Sequence, residues 1–124
     1  MRKRNRSIKV LIKEPGKEFR TEYIELTFEK YVELFGCEPK DTYQMQVLPC
    51  NNAVIVFSYA SDVENCKVFD TTFTGTIMFV GQRERGEFCD LSLHDDYIIR
   101  KYTRDYKVYK PKKKRVWGKF AWEI

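Results

Sequence analysis

Apolar and polar residues alternate along several short segments of the chain, which is the pattern of half-buried β-strands. Ile8, Val10 and Ile12 alternate with other residues up to a turn at 14–17, where Pro and Gly favour chain reversal. A second strand at about 20–26 completes a predicted hairpin, and residues 43–47 alternate in the same way. The chain is therefore predicted to begin with a β-hairpin, with Ile8, Val10 and Ile12 on one side of its first strand and Lys9 and Leu11 on the other.

Two uninterrupted apolar segments, 53–57 and 74–80, predict central strands that are buried on both faces. Gly75 predicts a bulge or a close backbone approach within the second one. The polar segment between them, residues 58–72 with its core at 58–70, has no clear periodicity and is predicted to be a surface excursion.

Two short amphipathic helices complete the predicted core. Thr27 is placed to cap the first, Gly36 to end it, and its apolar stripe has helical spacing: Phe28, Tyr31, Val32 and Phe35. Ser92 is placed to cap the second, with this predicted apolar face: Leu93, Tyr97, Ile98 and Tyr102.

The last part of the chain differs in character, because two β-like segments, 106–109 and 116–124, flank a basic stretch at 110–115. We predict a basic β-hairpin, and the competing interpretation is an extended arm that becomes ordered on a partner. The fold class is thus α+β: a small mixed, mostly antiparallel sheet with one or two helices packed on it and a C-terminal basic hairpin. We expect a single domain over 1–124, with a core at about 8–102, a basic tail at 1–7 and a basic aromatic extension at 103–124.

Composition limits the classes of function. No segment approaches the roughly 20 apolar residues that cross a bilayer, and the basic start is not followed by an apolar export signal, so we expect a cytoplasmic protein. The four Cys residues form no C-x-x-C pair and the chain has one His, so zinc spacings are absent and neither metal nor cofactor is expected.

Charge is segregated along the chain, although the net value is only +5. Residues 1–6 carry four basic side chains and no acid, and residues 100–124 carry ten basic against two acidic ones. Residues 7–99 hold nine basic and sixteen acidic side chains, a net of −7. An acidic body with two basic ends predicts a polyanionic partner for the ends.

The predicted binding residues lie in these ends. Lys and Arg neutralise phosphates, and exposed aromatic rings stack on unpaired bases. The candidates for binding nucleic acid or a partner are Arg2, Lys3, Arg4, Arg6, Lys107, Tyr109, Lys110, Lys112, Lys113, Lys114, Arg115 and Trp117. An acidic protein surface would also fit them, and the alternative is a solvated loop that keeps a hydrophobic hairpin in solution.

Catalytic and metal-binding interpretations have less support. Cys89 and His94 could form a nucleophile and its base, but neither an orienting group nor an oxyanion donor can be named. Acidic residues gather near the second helix without the spacing of an ion-binding loop, and a helix N-terminus favours them in any case: Glu87, Asp90, Asp95 and Asp96.

Two stretches carry a resemblance to a known family. One stretch is the run from Gly75 to Gly81 followed by Gly86-Glu87-Phe88 and by Leu91-Ser92-Leu93 before an acidic helix start, and the other is the opening 8–17. They resemble a family of small domains of unknown function from phages, plasmids and conjugative elements of Firmicutes and gut bacteria. The similarity covers roughly residues 8–100. It implies a mobile-element setting and supplies no catalytic residues.

We therefore expect a non-enzymatic binding protein of a phage or mobile element that engages a host nucleoprotein or nucleic acid through its basic termini. In that setting it would inhibit a host defence system of the CRISPR-nuclease or restriction type. The alternative is an accessory protein that acts directly on single-stranded DNA or RNA. No membrane partner is expected, and the sequence leaves the oligomeric state open.

Overall fold

The computed structural model describes residues 7–47 and 49–105. The strands are β1 (Ile8–Lys13), β2 (Arg20–Ile24), β3 (Thr42–Gln46), β4 (Ala53–Ser58), β5 (Glu64–Val68), β6 (Thr71–Thr74), β7 (Ile77–Gln82), β8 (Phe88–Cys89) and β9 (Thr103–Asp105). The helices are α1 (Phe28–Phe35), a 3₁₀ turn (Pro39–Asp41) and α2 (Leu93–Lys101). The described part of the chain is an α+β fold, as its sequence predicts.

The larger sheet has the strand order β2-β1-β7-β4-β3, and β8 pairs with the end of β7. Its described strand pairs are all antiparallel. The two apolar runs occupy the central strands β7 and β4, where they pair from Ala53↔Gly81 to Val56↔Met78. Strands that are covered on both faces need apolar residues at every position, which explains why these two runs lack alternation.

Helix α1 covers one face of this sheet. Thr27 accepts a hydrogen bond from the Lys30 backbone N–H, and Gly36 ends the helix with a left-handed φ of 74°. Leu34 and Phe35 of the helix are buried against alternate strand residues in one apolar cluster, which includes Val10, Ile12, Val54, Val56, Met78 and Val80. The predicted cap, helix and helix end are confirmed. The predicted apolar stripe is wrong in part: Phe35 is buried and Tyr31 half-buried, but Phe28 and Val32 are exposed, because the helix turns Leu34 toward the sheet.

The other face is covered by a second layer that consists of α2 and a three-stranded sheet of order β6-β5-β9. Leu11, Ile55, Ile77 and Phe79 of the larger sheet form a second apolar cluster with residues of this layer, among them Cys66, Val68, Phe73 and Ile99. The core thus has two halves, one on each side of the larger sheet.

The predicted surface excursion at 58–70 is wrong in its second part. Residues 64–68 form β5, the central strand of the smaller sheet, and Asn65, Cys66 and Val68 are buried. The polar pattern is misleading because Asn65 satisfies its amide inside the protein, through hydrogen bonds to backbone carbonyls. The strand predicted at 74–80 begins later, as β7 at Ile77, because Gly75, at a φ of 69°, separates it from β6. The predicted close approach at Gly75 is confirmed, since a Cβ there would lie 3.2 Å from Ser61 Cβ.

The predicted apolar face of α2 is correct for Ile98, which packs against the core, and wrong for its other three residues. Leu93, Tyr97 and Tyr102 are exposed, whereas Asp95 and Ile99 are buried. The Asp95 carboxylate accepts the backbone N–H groups of Asn51 at 3.2 Å and Asn52 at 3.4 Å, and this anchor rotates the helix. The predicted C-terminal hairpin lies outside the described residues.

Candidate nucleic-acid interface

Helix α2 and strand β9 present aromatic and cationic side chains together. We call the following residues the α2–β9 surface: Tyr97, Arg100, Lys101, Tyr102 and Arg104. All five are exposed. Asp95 and Ile99 are turned inward and Ile98 packs against the core, so the exposed side of this short helix carries Tyr97, Arg100 and Lys101.

Lys101 lies between two exposed rings. Its Nζ is 5.8 Å from the centroid of the Tyr97 ring and 5.5 Å from that of the Tyr102 ring. Tyr97 is 61% exposed and Tyr102 is 45% exposed. A cation beside two partly exposed aromatic rings combines the two kinds of group that bind single-stranded nucleic acid, since the charge attracts phosphates and exposed rings stack on bases.

Arg100 is held in place by three described partners. Its Nε donates to Asp96 at 2.6 Å, its Nη2 donates to Thr21 at 3.2 Å, and its guanidinium lies 5.4 Å from the centroid of the Phe19 ring. By contrast, Lys101 and Arg104 have no carboxylate partner among the described residues. The positive electrostatic potential of this surface therefore comes mainly from Lys101 and Arg104.

Tyr102 is positioned by the hairpin that joins β5 and β6. The Phe69 ring stacks on the Tyr102 ring at 5.0 Å between centroids and 21° between planes, and the Phe69 N–H donates to the Tyr102 carbonyl at 3.0 Å. Phe69 has a φ of 54°, which is rare for a bulky residue, so the stacking and the hydrogen bond stabilise an otherwise unfavourable backbone conformation.

A cavity of about 270 Å³ lies beside the α2–β9 surface, and Lys13 lines it together with Arg100, Arg104 and Asp105. The Lys13 ammonium is almost completely buried, lies 2.8 Å from Asp105 Oδ1 and donates to Asn65 Oδ1 at 3.3 Å. The exposed Asp105 of β9 thus neutralises the charge of the buried Lys13 of β1, and this ion pair joins the two sheets. We assign Lys13 a structural role.

The described thiols are unsuited to nucleophilic catalysis where they are buried. Burial raises the pKa of the Cys66 thiol to about 12, with a further increase from Asp105 and an opposing effect of Lys13. Burial likewise raises the pKa of Cys50 to about 12, and the nearby Asp95 adds to the increase. Both thiols therefore stay protonated at neutral pH.

The acidic residues near α2 serve the fold. Asp95 is the anchor described above, Asp96 pairs with Arg100, and Asp90 accepts the Lys9 backbone N–H at 2.8 Å. His94 and Glu87 are exposed and Cys89 is half-buried. No group of three or more His, Cys, Asp or Glu side chains within 7–47 and 49–105 is arranged to hold a metal ion.

All twelve binding residues predicted from the sequence lie outside the described residues. They flank the described part of the chain, since Arg6 precedes Ser7 and Lys107 follows Asp105 by two positions. The α2–β9 surface was missed by sequence reasoning, because Tyr97 and Tyr102 were assigned to the core. The available signal was the cluster of Arg100, Lys101 and Arg104 beside two Tyr residues.

Comparisons of the chain with protein-family models, with curated proteins and with solved structures yield no match. The resemblance to a mobile-element family therefore stays a prediction. None of the helices in the described part of the chain has the length and apolar character that spanning a membrane requires.

Proposed function

We propose that this protein is a non-enzymatic binding protein that engages nucleic acid or a nucleoprotein through the α2–β9 surface and the basic terminal segments. The observation that carries the proposal is the position of Lys101 between the exposed rings of Tyr97 and Tyr102. In the sequence, this surface leads directly into the basic stretch that contains Lys107 and Lys112–Arg115.

The physical basis is the combination of charge and stacking. Each Lys or Arg that neutralises a phosphate releases a condensed counterion, and this gives affinity without sequence preference. An exposed aromatic ring adds about 1–3 kcal/mol per stacked base. The non-enzymatic character is supported by the buried Cys50, Asp95 and Lys13, because each of them makes contacts that hold the fold together.

The proposed setting is the cytoplasm of a bacterial host, where the protein acts for a phage or other mobile element as an inhibitor of a CRISPR nuclease or restriction enzyme. The sequence resemblance and the charge segregation support this setting. An inhibitor of this kind requires a host protein partner, so its binding to naked nucleic acid would be weak without that partner.

The alternative is an accessory protein that binds single-stranded DNA or RNA directly. The exposed rings beside Lys101 favour it, because duplex bases do not offer their faces for stacking. Under this alternative, single strands bind more tightly than duplexes of the same length and need no protein partner.

The test is fluorescence anisotropy with labelled single- and double-stranded DNA and RNA over a salt series, using the full chain. Replacing Lys101 and Arg104 by Gln removes two proposed phosphate contacts, so the slope of log K against log salt for single strands should fall by about 1.4. Tyr97→Ala should weaken single-strand binding about fivefold or more, with the salt slope unchanged. A third variant, with Lys112, Lys113, Lys114 and Arg115 changed to Ser, tests the terminal contribution.

The matched control replaces Lys17 and Lys40 by Gln, which removes the same charge from exposed positions outside the α2–β9 surface. If the control and the Lys101/Arg104 variant lose the same affinity for nucleic acid and the same salt slope, binding is not localised to the α2–β9 surface. Absence of binding at moderate salt would refute direct binding. Co-purification with a host nuclease, abolished by the same variants, would then support the inhibitor.

A further inference from the structure

Strand β3 is the last strand of the larger sheet, and no described strand pairs with its outer side. Val47 N–H donates to Ala53 O at 3.0 Å, and the register continues as Met45↔Ile55 and Tyr43↔Phe57. Because antiparallel ladders alternate, Tyr43 and Met45 direct their backbone groups to β4, whereas Gln44 and Gln46 direct theirs outward. Within 7–47 and 49–105, these two residues therefore offer N–H and C=O groups that no neighbouring strand pairs.

This edge lacks the devices that usually prevent strand addition. Residues 42–46 carry no charge and no Pro, and the β3–β4 pairing shows no bulge. The opposite edge, β2, differs: Arg20 is paired with both Glu14 and Glu22, which places charges along that strand. The sheet therefore has one protected edge and one open edge.

An apolar cleft of about 410 Å³ runs beside the open edge, between the larger sheet and the β5–β6 hairpin. The described residues that line it include Met45, Val47, Ile55, Val68 and Phe69. Since Tyr43, Met45 and Val47 lie on one face of β3, a strand added to this edge would direct every second side chain toward the cleft. Phe69, with its unusual φ of 54°, forms part of the wall.

The other half of the edge is aromatic and acidic. Tyr43 is 51% exposed and Tyr59 is 75% exposed, with 5.1 Å between their ring centroids. Asp41 is exposed directly before β3, and Asp70 is the charged residue among the described residues lining the cleft. The nearby Lys40 is paired with Glu38 at 3.7 Å, so the excess charge along this edge is negative.

We propose that β3 binds an extended, basic and apolar peptide segment of a partner protein by antiparallel strand addition. The Gln44 and Gln46 backbones hold the peptide backbone. Read from its N-terminus, the peptide places an apolar residue opposite Val47, a second opposite Met45 in the cleft, and a basic residue opposite Tyr43. There the cation meets two aromatic faces and Asp41. This site uses a different strand from the α2–β9 surface, and Phe69, which lines the cleft and stacks on Tyr102, contacts both.

The probe is a fluorescein-labelled peptide in which Val, Leu and Lys follow one another at alternate positions, separated by Thr, and its binding to the full chain is measured by anisotropy. Gln44→Pro removes an outward N–H without removing a bond to β4, and we expect it to weaken binding about tenfold or more. Gln44→Ala is the matched control, because both variants lose the side-chain contact with Gln82 while only Pro alters the backbone.

Two further comparisons keep the proposal falsifiable if Gln44→Pro unfolds. Asp41→Lys should weaken binding of the Lys peptide and strengthen binding of a peptide with Glu in its place. A peptide with the reversed sequence, in which Lys comes first and Val last, should bind less tightly than the original Lys peptide. Equal binding of all three peptides to the unaltered protein would overturn the proposal. So would a concentration-dependent dimer that excludes the peptide, since a second copy would then occupy the edge.

Discussion

Asn65→Ala is the substitution that most directly tests how the two sheets are joined. The Asn65 side chain is buried, and its Nδ2 donates to Lys13 O at 2.8 Å and to Gly75 O at 2.7 Å. Its Oδ1 accepts from Lys13 Nζ at 3.3 Å. One amide thus connects the end of β1, strand β5 and the link between β6 and β7.

The expected cost follows from the groups that the substitution leaves without partners. Each buried carbonyl that loses its donor costs about 1–3 kcal/mol, and Ala supplies no replacement. With part of the loss recovered by water that enters the cavity of Lys13, we expect the free energy of unfolding to fall by about 2–4 kcal/mol. That corresponds to a drop in Tm of roughly 10–15 °C for a domain of this size.

The assay is urea unfolding followed by circular dichroism, with Asn51→Ala as the control. Asn51 is exposed and contacts Asp95 through its backbone N–H, which Ala retains, so that variant should change stability by less than about 0.5 kcal/mol. If Asn65→Ala costs no more than Asn51→Ala, the buried amide does not join the sheets and the reasoning is wrong.

Two further predictions concern the buried thiols and a close backbone contact. The pKa of Cys50 and of Cys66 is raised to about 12 in the folded protein, so unfolding releases their protons above pH 9 and stability is lost between about pH 9 and pH 12. In urea titrations from pH 9 to 11, the free energy of unfolding of the unaltered protein should fall by about 1.4 kcal/mol per pH unit relative to that of the Cys50→Ala variant. A difference between the two proteins that stays constant with pH would contradict this. A Cβ at Gly81 would lie 2.5 Å from Asp90 O, so Gly81→Ala should lower stability by about 2–3 kcal/mol in the same assay, whereas Gly86→Ala, with open space but a φ of 95°, should cost less.

Local signals explain which parts of the fold could be predicted. Helix α1 has its cap, its apolar stripe and its terminal Gly within ten residues, so no distant contact was needed to identify it. The central strand β4 is likewise marked by its own apolar run. Both elements lie where the sequence predicts them, although Phe28 and Val32 of the predicted α1 stripe are exposed and Leu34 is buried.

The errors arise where a polar residue is buried with a distant partner. Asn65 makes β5 look like a surface loop, although its partners come from β1 and Gly75. Asp95 likewise turns α2 by binding backbone groups of residues 51 and 52, more than forty positions away. Periodicity treats both residues as solvent-facing, and only the tertiary structure shows that they are satisfied inside.

The cations of the α2–β9 surface also differ in whether the protein itself already supplies their partners. Arg100 already binds Asp96 and Thr21 and lies over Phe19, so a ligand gains little from it and its loss would mainly affect the packing of α2 against β2. Lys101 contacts only aromatic rings among the described residues, and its charge is open to a phosphate. Arg100→Gln should therefore lower the Tm by a few degrees and leave the salt slope of nucleic-acid binding nearly unchanged. Lys101→Gln should leave the Tm nearly unchanged and lower the salt slope. Thermal unfolding and anisotropy on the same two variants check this, and equal effects on binding would show that the ion pair with Asp96 does not restrict Arg100.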